Sequence, residues 1–159
     1  MSSHIDPKDF SFTSHIGYVV RDADKTAEFL SSFGIGPWQS FERVRTKEQL
    51  TMGECERCHL RIQWARLWGN VVLEVIQPVD TESLWAKFLE THGEGLQHIA
   101  FSVSNFDEIV SKMKSQGGKV LVGGPSVGGR RWCYVEIKPG LIVELMEDDL
   151  HDLAFPGTH

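Results

Sequence analysis

The sequence contains no apolar run approaching the roughly 18 residues that a membrane-crossing helix requires, which excludes a helical membrane span. It is poor in cysteine: Cys55, Cys58 and Cys133 form an odd set, unsuited to a disulfide framework and suited to a reducing compartment. It has no surplus of positive charge, with 16 Lys and Arg against 22 Asp and Glu, so nucleic acid is not an expected partner. The opening residues, MSSHIDPKDFSF, lack the basic start and apolar centre of a secretory signal and the arginines of a transit peptide. A cytoplasmic location is the expectation. The run CERCH, Cys55 to His59, matches a haem-attachment pattern, but neither an export signal nor a second cysteine pair with zinc spacing accompanies it. Cys55 and Cys58 therefore read as free thiols.

What is present is a chain of 159 residues, 41% hydrophobic and 24% charged, of ordinary globular composition and one-domain length. It repeats itself. SHIGYVVRDADKTAEFLSSFG aligns with QHIAFSVSNFDEIVSKMKSQG, so that His15 matches His98, Asp24 matches Asp107 and Gly34 matches Gly117, each pair 83 positions apart. GNVVLEVIQP aligns with PGLIVELMED, matching Glu74 to Glu144 at an offset of 70. Each copy reads strand, helix, then three strands. The first has a strand near 13–20, a helix near 24–33, and strands near 37–44, 58–66 and 70–77. The second has a strand near 97–103, a helix near 105–116, and strands near 119–122, 130–137 and 140–146.

The predicted organisation is an N-terminal tail (1–12), a first βαβββ module (13–80), a linker helix (81–95), a second βαβββ module (96–147) and a C-terminal tail (148–159), forming one domain over 13–147. The linker helix rests on the spacing of Leu84, Trp85, Phe88 and Leu89, with Gly93 as its stop. The fold class is α+β: two modules pairing into curved mixed sheets around a metal-binding cleft. Helices can cover one face of each sheet, which leaves the other to enclose a site at the internal interface.

Alternation along the strands places Val72, Glu74 and Ile76 on one face of VVLEVIQ, and Ile142, Glu144 and Met146 on one face of LIVELME. Each strand inserts a carboxylate among apolar residues. A lone buried carboxylate is costly and acquires a proton, a partner or a metal. His15 and His98 open the first strand of each copy. Two imidazoles and two carboxylates suit one divalent ion such as Co, Ni, Zn, Mn or Fe; the other reading is a pair of buried His–Glu hydrogen bonds.

On these four segments, HIGYVV, LEVIQP, QHIAFSV and LIVELME, the chain resembles the vicinal oxygen chelate superfamily, which holds glyoxalase I, methylmalonyl-CoA epimerase, extradiol dioxygenases and antibiotic-resistance binders. The likeness covers about 13 to 147. DTESLWAKFLETHGEGLQHIAFSVSNFDE is similar in particular to methylmalonyl-CoA epimerases. The resemblance implies His15, Glu74, His98 and Glu144 as metal ligands, Glu144 or Glu74 as the proton-transferring carboxylate, and a homodimer. It implies a metal-dependent isomerase or lyase moving a proton beside a carbonyl through a metal-bound enolate, on a small-molecule substrate such as an acyl-CoA or a thiol adduct. Alternatives are a lactoylglutathione lyase (glyoxalase I)-like enzyme, a metal-free drug-sequestering module and an extradiol dioxygenase.

One departure stands out. Epimerases that the chain resembles place a second glutamate base on the third strand of the first half, but HLRIQWARLW contains no acid; Glu54 and Glu56 precede it. Its polar face, His59, Arg61 and Gln63, offers Arg61 and Gln63 as holders of an anionic substrate, or else a solvated surface. In VGGPSVGGRRW, Arg130 and Arg131 are candidates to steer an anion, or else solvated residues of a hairpin connection.

Overall fold

A computed structural model describes residues 4–68 and 71–147. The C-terminal tail expected over 148–159 lies outside the described residues. The elements run β1 (Phe10–Val19), α1 (Ala23–Ser31), β2 (Gln39–Arg45), β3 (Met52–Gly53), β4 (Cys58–Arg66), β5 (Val72–Pro78), α2 (Leu84–His92), β6 (Gly95–Val103), α3 (Phe106–Ser115), β7 (Lys119–Pro125), β8 (Arg131–Lys138) and β9 (Leu141–Glu147). All nine strands belong to one mixed sheet, in the order β2-β4-β5-β1-β6-β9-β8-β7-β3. The expected α+β fold is present, with the sheets of the two halves fused into one curled half-barrel. They join where β1 and β6 pair antiparallel, while each of these strands pairs in parallel with the last strand of its own half.

Local chemistry explains the helices. Asp22 caps α1 by accepting from the Lys25 backbone N–H at 3.0 Å. Ser83 does the same for α2, accepting from Ala86 N–H, and the helix stops at Gly93 with φ 77°. In α3 the buried residues Phe106, Ile109, Val110 and Met113 recur at helical spacing and cover Cys133, Val135, Val143 and Leu145. Around α1, Val20 and Ala23 pack with Leu73 and Val75. These two helices thus cover the convex face. Among the described residues no helix is long and apolar enough to cross a membrane.

The concave face is lined by Val19, Leu60, Ile62, Ile76, Val122, Trp132, Tyr134 and Ile142. Trp85, from α2, is buried against them, its ring 5.4 Å from that of Tyr134. α2 therefore packs an indole against this face.

Two departures from the sequence expectations concern the start of the first strand and β3. The first strand starts at Phe10, and its early residues pair with the end of β6. β3 is too short to show any periodicity. It leaves the first half and pairs with β7, the far flank of the second. At Gly53, φ is 75°, and a Cβ would meet the Leu121 carbonyl oxygen at 2.2 Å, so this contact requires glycine.

Candidate metal centre

The β-ladder brings the four sequence-selected donors together as two cross-strand rows. In one, Trp64 pairs with Glu74, Glu74 with Gly17, and Gly17 with His98. In the other, Tyr134 pairs with Glu144, Glu144 with Ala100, and Ala100 with His15. Each histidine thus shares a row with the other half's carboxylate. The centre exists only because β1 and β6 pair across the two halves.

All four side chains are buried. His15 Nε2 lies 2.8 Å from Glu144 Oε2 and 3.3 Å from Glu74 Oε2. His98 Nε2 lies 3.3 Å from Glu144 Oε2, 3.5 Å from Glu74 Oε2 and 3.3 Å from His15 Nε2. One ligand atom from each residue falls within 4.8 Å of every other. Donors held about 2.1 Å from a common ion stand roughly 3.0–3.4 Å apart at neighbouring positions, so the spacings suit one small divalent cation. A second observation agrees: both carboxylate oxygens of Glu74 are buried without a hydrogen bond. Such oxygens are expensive unless cations complete them; without an ion, His15 at 3.3 Å and Arg43 at 3.6 Å take that part. Two nitrogens and two oxygens match the preferences of Zn, Ni, Co, Mn or Fe(II).

The orientation of His98 is set by its neighbour on the strand. The Gln97 side-chain carbonyl sits 3.0 Å from its Nδ1, so Nδ1–H donates and Nε2 keeps a lone pair toward the centre. Gln97 reaches it because β6 slips register between the partners of Gly17 and Tyr18, a bulge that turns two adjacent side chains inward. Gly17 makes room for the imidazole: a Cβ there would lie 2.0 Å from His98 Cε1.

Electrostatics follow from crowding. Burial alone would depress the basicity of His15, but the charges of Glu74 and Glu144 outweigh it and raise its pKa to about 10. Burial alone would raise both carboxyl groups. The opposed His15 charge more than compensates, holding Glu74 well below the usual range and Glu144 at about 2. Burial, reinforced by the Glu144 charge, pushes the Tyr134 phenol well up, so it stays neutral with its oxygen 3.3 Å from His98 Nε2.

The substrate-binding candidates fare differently. Arg61 and Gln63 lie on the opposite face of β4 from Leu60, Ile62 and Trp64, which is the convex side. Gln63 Nε2 donates to Asp24 on α1 at 2.7 Å, and Arg61 stands 3.5 Å from Glu42. The polar side of the strand meets the helix, and the apolar side walls the hollow. Arg131 is also committed elsewhere: it donates in paired fashion to Asp107 on α3 and binds Glu147. Arg130 follows the turn between β7 and β8, half-buried. None of the four joins the quartet. Of the CERCH residues, Cys58 is buried in the core with its thiol pushed up to about 11 by burial, while His59 faces Glu42 at 3.1 Å. Cys58 and His59 therefore point to opposite sides.

Sequence reasoning missed Arg43. From β2 its Nη1 reaches to 3.6 Å from Glu74 Oε1. It also missed Tyr134 as part of the site, although the offset of 70 that pairs Glu74 with Glu144 pairs Trp64 with Tyr134 as well. Both rings flank imidazoles, Trp64 that of His15 at 5.9 Å and Tyr134 that of His98 at 4.5 Å.

The family model of the Glyoxalase/Bleomycin resistance protein/Dioxygenase superfamily matches residues 14–134. Over 92% of this chain and 93% of the other, the structure is similar to methylmalonyl-CoA epimerase from Mycobacterium tuberculosis, at TM-score 0.68 and 22% identity. It is similar over 87% and 98% to a Streptomyces coelicolor methylmalonyl-CoA epimerase variant in complex with 2-nitronate-propionyl-CoA, at TM-score 0.66 and 23% identity. Among curated sequences, the uncharacterized protein YqjC of Bacillus subtilis is 32% identical over 83 residues, which take in 50% of this chain and 59% of that protein. At these identities the solved structures share the fold.

Proposed function

The chain belongs to the Glyoxalase/Bleomycin resistance protein/Dioxygenase superfamily, and from this premise we propose that it is a metal-dependent enzyme moving a proton beside a carbonyl, in the manner of methylmalonyl-CoA epimerase. The observation that carries the reading is the convergence of four buried donors, one of them a carboxylate whose oxygens lack hydrogen bonds. His15, Glu74, His98 and Glu144 would hold the ion. Once bound, it supplies Lewis acidity toward a carbonyl oxygen.

The protein's own groups perform the remaining steps. Glu144 takes the proton from the carbon next to the carbonyl on the carboxylate oxygen not facing His15, and returns it. With no acid on β4, Glu74 is its counterpart in the same centre. The rings of Trp64 and Tyr134 keep water from the developing charge, and Trp85 packs against Tyr134. Gln97 holds the His98 ring in the tautomer that presents Nε2.

The test is deuterium wash-in from heavy water into methylmalonyl-CoA, other acyl-CoA thioesters and hemithioacetals, with cobalt, nickel, manganese or zinc supplied. Label entering the carbon beside the thioester carbonyl is the expected result. Turnover confined to hemithioacetals would replace the epimerase reading with a glyoxalase one. Metal uptake without exchange in any compound would overturn both.

A further inference from the structure

We propose that the segment from Thr46 to Arg57 is a strap that gates the four-donor centre, opening at its short seam with β7 to admit ion and substrate. The inference rests on the reading above only for what passes the gate; the geometry of the strap is independent of the reaction.

No side chain of the quartet is more than 6% exposed, so a molecule reaches the centre only if something moves. The order of the sheet says what that is. β2 is one outermost strand and β3 the other, yet only residues 46–51 separate them. Seven Cα steps reach at most about 25 Å, so the two edges of the curled sheet face each other and this crossing spans the mouth between them. Residues 54–57 make a return crossing to β4. Leu50, from the first crossing, is buried in the cluster that lines the hollow, with Cys58, Trp132 and Tyr134. Tyr134 in turn touches His98.

The strap lies down on glycine. Met52 pairs with Gly123 and Gly53 with Val122, and the Glu54 N–H donates to the Leu121 carbonyl at 3.2 Å. Gly124 meets the Gln49 carbonyl so closely that a Cβ there would overlap it. The first glycine pair of VGGPSVGGRRW is thereby a seat. Two further ties, Glu54 with Lys119 at 3.8 Å and Arg57 with Glu82 at 4.0 Å, join exposed side chains and contribute little. Within itself the strap is firmer: the N–H groups of Gln49 and Leu50 donate to the Thr46 carbonyl at 3.0 and 3.1 Å, and Lys47 pairs with Glu56 at 2.6 Å. A cavity of about 640 Å³, lined by Cys55, Arg57, Leu84, Lys87 and Leu121, lies between the return crossing and α2. A firm unit on a short seam beside open space can open locally while the rest of the sheet stays folded.

The test locks or loosens the seam. Glu54 and Leu121 face each other where the β3–β7 register continues, so Glu54→Cys/Leu121→Cys, in a Cys55→Ser background, closes a disulfide when treated with diamide and releases it when reduced. One readout is the rate of cobalt uptake, followed by stopped-flow absorbance. The other needs no metal: the rate at which iodoacetamide alkylates Cys58, buried in the same cluster as Leu50, followed by mass spectrometry. Oxidation should slow both rates by about tenfold or more and leave equilibrium cobalt affinity unchanged. Gly124→Ala, which lifts Gln49, should speed both severalfold. Equal rates in the oxidised and reduced protein would overturn the proposal, as would a folded Gly124→Ala protein no faster than wild type. If Gly124→Ala does not fold, the two redox forms decide by themselves. A wild type that takes up no cobalt would defeat the reading of the preceding subsection instead, and Cys58 alkylation would still decide the role of the strap.

Discussion

The first half surrounds its carboxylate with an indole and a guanidinium, Trp64 and Arg43; the second places a phenol, Tyr134, beside its own. Glu144 makes a short hydrogen bond to His15 at 2.8 Å, while Glu74 is held by longer ion-pair contacts, with His15 at 3.3 Å and Arg43 at 3.6 Å. His98 lies against a glycine, and His15 pairs across from an alanine. Duplication thus supplied matching donors, and the walls diverged around them. An ion held there would see four similar ligands, but a molecule bound beside it would meet a cationic aromatic side and a neutral hydroxyl side. That difference separates a metal site from a site that can orient an asymmetric substrate.

The sharpest way to break the comparison is to neutralise one carboxylate at a time. Glu144→Gln should lower deuterium exchange by roughly 10²–10⁴-fold, the range expected for a lost proton-transfer group. Glu74→Gln should cost about tenfold. Metal content measured by mass spectrometry separates lost chemistry from lost ion. Equal losses would mean that the halves share the proton transfer.

Next come the residues facing the imidazoles. Gly17→Ala should displace His98 and weaken metal binding by about tenfold or more, since a new Cβ would overlap the ring, and overpacking of this kind costs about 1–3 kcal/mol. Ala100→Gly, on the symmetric strand position, should leave metal affinity alone and cost only about 0.5–1 kcal/mol of stability. A competition titration with a chelating dye reads the first effect, and thermal unfolding reads the second.

Protonation sharpens the comparison further. In the metal-free protein His15 titrates near 10, above its usual value of 6.5, so its contribution to stability is complete below about 6.5 and disappears as pH rises through 10. Glu144 titrates near 2, below its usual 4.5, so its contribution is present above about 4.5 and disappears as pH falls through 2. Both act together between about 4.5 and 6.5, where metal-free melting temperatures should benefit most from the pair. An incoming ion must displace the His15 proton, so metal affinity should climb with pH up to about 10. His15→Gln should flatten that climb.

An effect as small as that of Ala100→Gly is expected at the aromatic pair. Tyr134→Phe removes a hydroxyl 3.3 Å from His98 Nε2 and should cost about 1 kcal/mol of stability. Trp64→Phe keeps a ring beside His15 and should cost less than the removal of a whole side chain, which thermal unfolding would register.

The quartet was legible because it is written twice. His15 and His98 begin matching strands, and Glu74 and Glu144 interrupt apolar runs at one offset. The alternation on β4 was also readable, with Arg61 and Gln63 on one side and Ile62 and Trp64 on the other. Which side faced the hollow was not, because polarity suggested a substrate face while the fold spent it on α1 through Asp24. Arg43 was obscured for a related reason: β2 carries charge on both faces, Glu42 on one and Arg43 and Arg45 on the other, so no apolar pattern marks the inner side. The bulge at Gln97 depends on a slip between two strands, and one strand's sequence carries no sign of it.

The two-residue strand β3 has a bearing on how the molecule holds together. Because Met52 and Gly53 bind the outermost strand of the opposite half, the chain crosses from one end of the arc to the other before completing its own module. Cutting the polypeptide in the turn before α2 would therefore leave two fragments clasped like interlocked fingers. The first would carry the latch for the second, and each would hold half of the ligands. Reassembly of the pair from separately made pieces would restore the cation pocket only in their union.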